Sequence, residues 1–515
     1  MNVVYSIFCP LWLFASVLSA LRYIHFLQLN SYKNKTQLRW MRTHRERLAC
    51  LIPVLLAVIF APFGALWSSI IASVLTGFSC YTIFPRKAKK PLVLTGRVKR
   101  LLVTYCILAL AAGAGGYLLG AHFRMTLPLL FLLLSPFAVL LSNLINHPIE
   151  SAVRNWYIRD AKKKLRASPD LTIIGVTGSF GKTSLKNHLG KLLSVKYDTL
   201  ITPESYNTPM GVVRTIREQL QPKHSIFVCE MGARHVGDIK ELCELVKPAH
   251  GIITAVGNQH LETFHTADNI LRTKFELADA LPAEGRLFLN GDSAPIREHL
   301  PSLDRPYTTY GLSPENHYYA SDISASVTGT SFVLHSPDGR SCMFRTKLIG
   351  KHNVLNLTGA IAVCDAFGIP PSDLVSAVRK LDPVPHRMQL LPGQDLSYID
   401  DAFNSNPSGA RSALETLSMF DACRILVTPG MVELGDDMEK CNREFGAQAA
   451  AACDYVFLVG ERQAVPIREG LLEAGFPESR IHITHTLGES LSLVRAIHSG
   501  KHKIVLLEND LPDNY

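Results

Sequence analysis

Residues Leu171 to Ser184, with the sequence LTIIGVTGSFGKTS, decide how the rest of the chain is interpreted. An apolar, β-branched run leads into a glycine-bearing turn that ends in Lys182 and Thr183. Glycines let successive backbone N–H groups face one concavity, and the N-terminal end of a following helix adds positive charge there. The order of strand, glycines, Lys-Thr and helix therefore predicts a phosphate-binding loop.

We expect this loop to bind a nucleotide through six residues, which are Gly178, Ser179, Gly181, Lys182, Thr183 and Ser184. Lys182 supplies a mobile cation for the outer phosphates, and the Thr183 hydroxyl is a ligand for Mg²⁺. The strict spacing of such loops has a glycine where this chain has Val176. An ordinary glycine turn between a strand and a helix is the alternative interpretation.

Composition divides the chain into an apolar first part and a soluble remainder. The chain has 515 residues, enough for several domains, and its apolar runs lie in the first third. Much of the net charge of +9 lies beside these runs, so it indicates membrane topology and not nucleic-acid binding. The 11 cysteines form no CxxC pair and no metal-ligand spacing, which is typical of buried thiols in a reducing compartment.

Residues 1–150 are predicted to form a helical transmembrane region, because a span needs about 20 apolar residues. The apolar runs are Val3–Leu27, Cys50–Phe84, Leu101–Ala121 and Thr126–Ile145. Basic residues fill the loops after the first two runs and follow the last, and such segments face the cytoplasm. We therefore predict about five spans with the catalytic part inside, Cys50–Phe84 forming either two spans or a re-entrant hairpin. Buried core helices of a soluble protein fit these basic flanks poorly.

The remainder alternates strands with helices, which predicts α/β domains with mainly parallel sheets and functional residues at the carboxyl ends of the strands. Central strands are predicted at Ser225–Met231, Gly251–Val256 and Arg286–Asn290, and helices at Thr183–Leu193 and Asp268–Ala280. Further strands at Arg424–Val427, Tyr455–Val459, Arg480–Ile483 and Lys503–Leu507 predict a small Rossmann-like unit. We place a central domain at 151–384 and a C-terminal domain at 385–515.

Three side chains near the central strand ends carry the candidate chemistry. Glu230 closes a strand, where a carboxylate can share Mg²⁺ with Thr183. His260 follows the next strand, and Lys274 lies on the helix after it. A buried structural carboxylate is the alternative interpretation of Glu230, although its position facing a phosphate loop favours the metal role. A lone histidine or lysine at such positions is more often a surface residue. Only their combination favours a metal and phosphate site.

Ten motifs in order resemble the Mur ligases, which are ATP-dependent amide-bond ligases of bacterial cell-wall synthesis. They are TGSFGKTS, YNTPMG (Tyr206–Gly211), EMGARHVGDI (Glu230–Ile239), GNQHLE (Gly257–Glu262), TKFEL (Thr273–Leu277), LNGD (Leu289–Asp292), GKHNVLN (Gly350–Asn356), PHRM (Pro385–Met388), DDAFNSNP (Asp400–Pro407) and MVELG (Met431–Gly435). The match is closest to the D-alanyl-D-alanine-adding type. It implies a central P-loop ATPase domain and a C-terminal Rossmann-like ligase domain, here preceded by the transmembrane region.

The resemblance also implies a mechanism and roles for the candidate residues. In such ligases an acceptor carboxylate attacks the γ-phosphate of ATP, and an amine then attacks the resulting acyl phosphate. By resemblance, Lys182 cradles the β- and γ-phosphates, while Thr183 and Glu230 hold a first Mg²⁺. His260 helps to hold a second, and Lys274 matches the lysine that the family carbamylates to make a carboxylate-like metal ligand.

Three further residues match nucleotide contacts of the family. Asn353 inherits a contact with adenine, Arg387 a contact with the nucleotide and Asp401 a contact with the ribose. A helix cap is the alternative interpretation of Asn353. Asn404 and Asn406 lie in the loop after Asp401, where a solvated turn is the alternative.

Two differences from the family concern the regions that bind the substrate, so the resemblance supports the nucleotide site better than the substrate site. The family's N-terminal domain, which binds the uridine-diphosphate end of the substrate, has no counterpart here, and the membrane region occupies its place. Glu508-Asn509-Asp510 stands where that ligase type usually has a Lys-Gly-Ser element close to the substrate. Phe403 replaces the usual tyrosine of its motif, a smaller change.

The leading hypothesis is a multi-pass membrane ligase that uses ATP and Mg²⁺ to join an amino acid or dipeptide to a carboxylate of a peptidoglycan-type precursor. Anchoring near the bilayer favours a lipid-linked acceptor. One alternative is a synthase of a glutamyl or other amide polymer. The other is a membrane NTPase that acts as a switch or in transport. The sequence names no partner protein.

Overall fold

The computed structural model describes the chain in two compact units, Met1–Trp156 and Tyr157–Tyr515. Fifteen short stretches lie outside the described residues, namely 1, 44–47, 49–50, 61–69, 72–73, 75–90, 121–122, 258–260, 327–328, 384–385, 403–404, 433, 435–436, 462 and 511–515.

The described part of the first unit is helical. Its helices are α1 (Asn2–Leu29), α2 (Asn34–Thr43), α3 (Ile52–Phe60), α4 (Gly96–Leu118), α5 (Phe123–Leu133) and the part of α6 (Ser135–Arg166) up to Trp156. Residues Ser6–Leu29 and Gly96–Leu118 are long and apolar enough to cross a membrane, and α5 with α6, bent by 75°, makes a third candidate if the pair is one span. Most of Cys50–Phe84 lies outside the described residues, so the number of spans stays a prediction.

The helices of this unit pack through apolar side chains and a few long-range polar contacts. Trp12 Nε1 donates to the Pro128 carbonyl over 2.7 Å, which joins α1 to α5. Arg100 on α4 holds Glu150 on α6 with two hydrogen bonds of 2.7 and 3.0 Å. The α4 side chains Val103, Ile107 and Leu110 are exposed and share one helical face. An exposed apolar face of this kind suits contact with lipid.

The second unit begins with a nine-stranded sheet of order β2-β3-β1-β4-β5-β6-β7-β8-β9. Pairing is parallel from β2 to β7, while β7, β8 and β9 pair antiparallel. The strands are β1 (Thr172–Thr177), β2 (Thr199–Ile201), β3 (Ile226–Glu230), β4 (His250–Ile253), β5 (Leu287–Asn290), β6 (Tyr307–Gly311), β7 (Tyr318–Ser326), β8 (Gly329–His335) and β9 (Ser341–Thr346). The predicted α/β fold is confirmed, with the predicted strands displaced by up to three residues at their ends.

Helices cover both faces of this sheet, because its central strands are apolar on both sides. Along β1, Ile174 and Val176 face one core and Ile173 faces the other. The helices are α7 (Lys182–Leu193), α8 (Pro209–Gln219), α9 (Asp238–Val246), α10 (Leu261–Phe264), α11 (Ala267–Ala280), α12 (Ala294–His299), α13 (Lys351–Ala366) and α14 (Pro371–Arg379). Helices α7 and α13 pack on the first face, and α8, α9 and α11 pack on the second.

A six-stranded sheet follows, with the order β10-β11-β15-β12-β13-β14 and parallel pairing except for β10. Its strands are β10 (Gln389–Leu391), β11 (Leu396–Asp401), β12 (Cys423–Thr428), β13 (Tyr455–Val459), β14 (Ile481–Thr484) and β15 (Lys503–Glu508). Its helices are α15 (Pro407–Ser418), α16 (Met438–Ala452), α17 (Ala464–Glu473) and α18 (Leu487–Ala496). Since α15 to α17 pack on one face and α18 on the other, the predicted Rossmann-like architecture is confirmed.

Two glycines let α16 and α17 cross in close contact. A Cβ atom at Gly446 would overlap the carbonyl oxygen of Ile467, and one at Gly470 would overlap that of Arg443. Both neighbours are backbone atoms, so neither can move aside without shifting a helix. The crossing therefore depends on the absence of side chains at these two positions.

Replacing Gly470 tests this dependence. We expect Gly470→Ala to lower the free energy of unfolding of the C-terminal sheet by about 2 kcal/mol, because the added methyl group forces the helices apart. Chemical denaturation followed by circular dichroism measures the change. The matched control is Gly488→Ala on α18, where a Cβ atom meets no close neighbour. An equal loss in both variants would contradict the packing argument.

Candidate active site

The loop between β1 and α7 has the backbone shape that only glycine adopts easily. Gly178 has a φ of 146° and Gly181 a φ of 81°, and Gly181 caps the start of α7. A Cβ atom at Gly178 would overlap the side-chain oxygen of Thr254, and one at Gly181 would lie 2.7 Å from Asn356 Oδ1. Glycine at these two positions therefore lets the loop backbone pack closely against its neighbours in a shape that can accept a phosphate group.

Ser179 ties this loop to the segment after β4. Its backbone N–H donates to the Ala255 carbonyl over 2.6 Å. Its hydroxyl donates to the Gly257 carbonyl over 3.0 Å and accepts the Gly257 N–H over 3.1 Å. In this arrangement the Ser179 side chain holds the loop in place, and Ser184 is buried on the first turn of α7.

The Lys182 side chain curls over its own loop. Its Nζ donates to the carbonyl oxygens of Gly178 at 2.7 Å and Ser179 at 3.0 Å. Burial lowers the pKa of Lys182 to about 8, Glu230 opposes that shift, and Arg387 adds to it. The ammonium group therefore lies near the charges of Glu230 and Arg387, and a phosphate bound in the loop would neutralise it.

Glu230 is the centre of a buried polar cluster. Its Oε1 accepts hydrogen bonds of 3.0 Å from Thr183 Oγ1 and from Asn207 Nδ2. Its Oε2 lies 3.2 Å from the Nζ of Lys186, which is itself fully buried and also donates to the Glu204 carbonyl over 2.6 Å. Adjacent hydroxyl and carboxylate oxygens are the hard donors that Mg²⁺ prefers, so Thr183 and Glu230 fit that ion.

Lys186 and Asn207 are functional candidates that the sequence interpretation missed. Lys186 lies four residues after Lys182 and therefore on the same face of α7, but the sequence alone does not show that it is buried. Burial lowers the pKa of Lys186, and the neighbouring Glu230 carboxylate opposes this shift. Asn207 lies in the YNTPMG motif, but its contact with Glu230 comes from packing between distant segments.

Lys274 lies buried on α11 with its Nζ 5.8 Å from the centre of the Phe264 ring. Burial lowers the pKa of Lys274 to about 7, and the charge of Lys182 lowers it further. The two lysines therefore share one electrostatic neighbourhood. His260 lies outside the described residues, and within the described ranges no group of three His, Cys, Asp or Glu side chains converges on a metal position.

The C-terminal segment brings Arg387 and Asp401 to the same region. Burial lowers the pKa of Arg387, whereas the carboxylates of Glu230 and Asp401 raise it. Asp401 Oδ1 accepts the Met388 N–H over 3.1 Å. Burial raises the pKa of Asp401 to about 6, although this hydrogen bond and Arg387 oppose the shift. Of these two predicted nucleotide contacts, Arg387 thus lies within electrostatic range of both Glu230 and Asp401.

The three asparagines differ in their placement. Asn353 is buried and donates from Nδ2 to the Ile349 carbonyl over 2.9 Å, and Gly350 is the residue that caps α13. Its contact with adenine stays a prediction. Asn406 caps α15 by accepting the Gly409 N–H over 3.0 Å. Asn404 lies outside the described residues.

The element that departs from the family is buried at the carboxyl edge of the six-stranded sheet. Glu508 ends β15 in register with Asp401 on β11. Its Oε1 accepts a hydrogen bond from the Ser405 hydroxyl, and Thr428 Oγ1 lies 3.4 Å from its Oε2. Burial raises the pKa of Glu508 from 4.5 to about 8, and the charge of Asp401 adds to this shift.

This shift predicts a pH-dependent stability. Between pH 4.5 and about 8 the folded chain binds a proton at Glu508 that the unfolded chain has lost, so this contribution to stability falls as the pH rises. We expect Glu508→Gln to match the unaltered chain at pH 4.5 and to unfold about 10 °C higher at pH 8.5. Thermal scans at the two values measure this. Glu415→Gln, at an exposed position of α15, is the control, and a pH-independent difference contradicts the argument.

Comparison with known proteins assigns this fold and site to a class. Residues 176–364 match the Mur ligase middle domain, and residues 386–508 match the family described as Mur ligase, glutamate ligase domain. The chain belongs to the Mur ligase family and is an ATP-dependent amide ligase.

Individual relatives narrow the comparison to one branch of the family. The chain is 32% identical to the UDP-N-acetylmuramoyl-tripeptide--D-alanyl-D-alanine ligase of Bacillus subtilis over 64% of this chain and 71% of that protein. The Escherichia coli ligase of the same name is 28% identical over 62% and 73% of the two chains. A crystal structure of MurF from Acinetobacter baumannii is similar with a TM-score of 0.62, 28% identity, and coverage of 69% of this chain and 77% of that chain. These relatives are ligases of the MurF type, to which this chain is similar.

Proposed function

We propose that this chain is a membrane-anchored ligase that uses ATP and Mg²⁺ to join an amino acid or dipeptide to a carboxylate of a peptidoglycan-type precursor. The observation that carries the proposal is the buried cluster in which Thr183, Asn207 and Lys186 contact Glu230 beside the phosphate-binding loop. The names of the similar ligases, which add D-alanyl-D-alanine to a UDP-linked muramoyl tripeptide, support the substrate class.

The chemistry explains why cations surround the loop. A carboxylate is a poor acyl donor, so its oxygen attacks the γ-phosphorus of ATP, the bond to the β-phosphate oxygen breaks, and ADP leaves. The amine nitrogen then forms a bond to the acyl carbon, phosphate leaves, and the nitrogen loses a proton. Both steps bring anions together, and the charges of Lys182 and Arg387 offset their repulsion.

Each residue of the proposed site has a distinct role. The backbone of Gly178 and Gly181 faces the phosphates, and Lys182 pairs with the outer ones. Thr183 and Glu230 would hold Mg²⁺, which supplies further charge neutralisation to the phosphates when bound. Lys274, with a pKa of about 7, has a neutral amine in a large fraction of molecules at neutral pH. A neutral amine is the form that reacts with carbon dioxide to give the carbamate that the resemblance implies.

Membrane anchoring is supported by the composition of the first unit. Its two long apolar helices and the exposed apolar face of α4 fit a lipid environment. The basic loops favour a cytoplasmic position for the catalytic domains, where ATP is available. A ligase held at that surface meets a lipid-linked acceptor without diffusing through the cytoplasm.

ADP release by the full chain in detergent tests the proposal. We expect ADP release to rise by about tenfold or more only when a precursor carboxylate and an amine are both present, because the acyl phosphate turns over only when the amine attacks it. The screen uses UDP-linked and lipid-linked muramoyl peptides, each with D-alanyl-D-alanine or single amino acids. Lys182→Ala should abolish the signal, and Lys191→Ala, at an exposed position of α7, should not. Hydrolysis indifferent to both substrates would instead identify a membrane NTPase.

A second variant addresses Lys274. We expect Lys274→Ala to lower ligase turnover by about 100-fold, because the site loses a metal ligand, and short carboxylic acids such as formate or acetate to restore part of it. Product formation with increasing acid concentration measures the rescue. Arg272→Ala, at an exposed position of the same helix, is the control. Loss of activity without any rescue would remove the carbamate from the proposal.

A further inference from the structure

Arg387 lies between two residues with an unusual backbone conformation. His386 has a φ of 60° and Met388 a φ of 46°, which is the left-handed region that residues with a Cβ atom rarely adopt. Such a conformation persists only where surrounding contacts hold it, and it is common at functional sites. The turn that presents Arg387 therefore requires contacts that compensate for its strain.

Two consecutive carboxylates at the end of β11 provide these contacts. His386 Nδ1 lies 2.8 Å from Asp400 Oδ2, and the Met388 N–H donates to Asp401 Oδ1 over 3.1 Å. Asp400 also accepts the Ala402 N–H on its Oδ1 over 3.2 Å, so its carboxylate is fixed from both sides. Each strained residue beside Arg387 is thus held by one of the two aspartates.

The contact with Asp400 is the main interaction that holds His386 in its strained conformation. The side chain of His386 is 62% exposed, so packing contributes little to holding it. The Asp400 carboxylate is largely buried and belongs to a strand in the sheet, so it is the rigid partner of the pair. The hydrogen bond that the His386 ring makes to this fixed carboxylate is therefore what compensates for the left-handed backbone of His386.

Arg387 is half-buried and lies within electrostatic range of the nucleotide loop. Its charge acts on Lys182 and on Lys186, and the carboxylates of Glu230 and Asp401 act on it in return. A guanidinium group in that position is available to phosphate oxygens of a bound nucleotide. Its reach depends on the turn, because a change of φ at either neighbour would redirect the side chain.

We infer that Asp400 and His386 form a positioning pair that holds Arg387 in the nucleotide site. The inference rests on the proposed role of Arg387 as a nucleotide contact. Asp400 fixes the ring of His386, the ring fixes the left-handed backbone, and the backbone directs the guanidinium group. Neither Asp400 nor His386 touches the nucleotide in this arrangement.

Substitutions at His386 separate backbone conformation from the side chain. Glycine adopts a φ of 60° without strain, whereas alanine keeps the strain and loses the ring. We expect His386→Ala to weaken Mg-ADP binding by about tenfold and His386→Gly to stay within about twofold of the unaltered chain. Calorimetric titration of the full chain in detergent measures both. Because the side chain is exposed, both variants should still fold, with thermal unfolding midpoints within a few degrees of the unaltered chain.

The double variant tests whether Asp400 acts through His386. Asp400→Ala should weaken Mg-ADP binding by about tenfold in the unaltered chain but by less than about twofold in the His386→Gly background. An equal loss in both backgrounds overturns the inference, since Asp400 would then act through Ala402 or the strand. Asp382→Ala, which removes an exposed aspartate that pairs with Lys347 at 3.3 Å, is the control.

Two reference variants keep this test separate from the proposed function. Arg387→Ala should weaken Mg-ADP binding at least as much as Asp400→Ala. If Arg387→Ala has no effect while Lys182→Ala abolishes binding, the positioning pair is overturned and the ligase proposal stands. If Lys182→Ala also leaves binding unchanged, the phosphate-binding role of the loop is wrong, and the proposed function fails with it.

Discussion

The arrangement of positive charge around the Glu230 carboxylate is the constraint on which the site depends. Lys186 pairs with this carboxylate, while Lys182, Lys274 and Arg387 are partly desolvated in the same region. Their lowered pKa values express the cost of holding several cations together away from water. A site with this excess of positive charge is stabilised when a polyanion binds. The fold is therefore suited to a triphosphate before any substrate is present.

The sequence alone predicted those parts of the fold that are encoded locally. Strands such as β1 and β3 are buried on both faces, so they appear as continuous apolar runs, and the ends of β3 were predicted within one residue. The glycine loop was equally predictable, since Gly178 and Gly181 occupy backbone conformations that other residues avoid. Their neighbours Lys182, Thr183 and Glu230 then lie at adjacent strand ends in a parallel sheet.

Features that depend on distant packing were not predictable in this way. Lys186 looks like a surface residue until the fold buries it against Glu230, and Asn207 reaches the same carboxylate from a loop 23 residues earlier in the chain. The strain at His386 has no sequence signal, because its compensation comes from Asp400 across a turn. The position of β15 between β11 and β12 was also hidden, since the alternating pattern gives the number of strands but not their order.

The central position of β15 has a consequence for how the domain is made. Strands β11 and β12 each hydrogen-bond to β15 and not to each other, although both precede it in the chain. During synthesis the edges of these two strands that face β15 stay unpaired until Lys503–Glu508 has left the ribosome. This sheet therefore has a high contact order and folds late. Unpaired strand edges invite aggregation, so the nascent C-terminal domain is most exposed to it before β15 pairs.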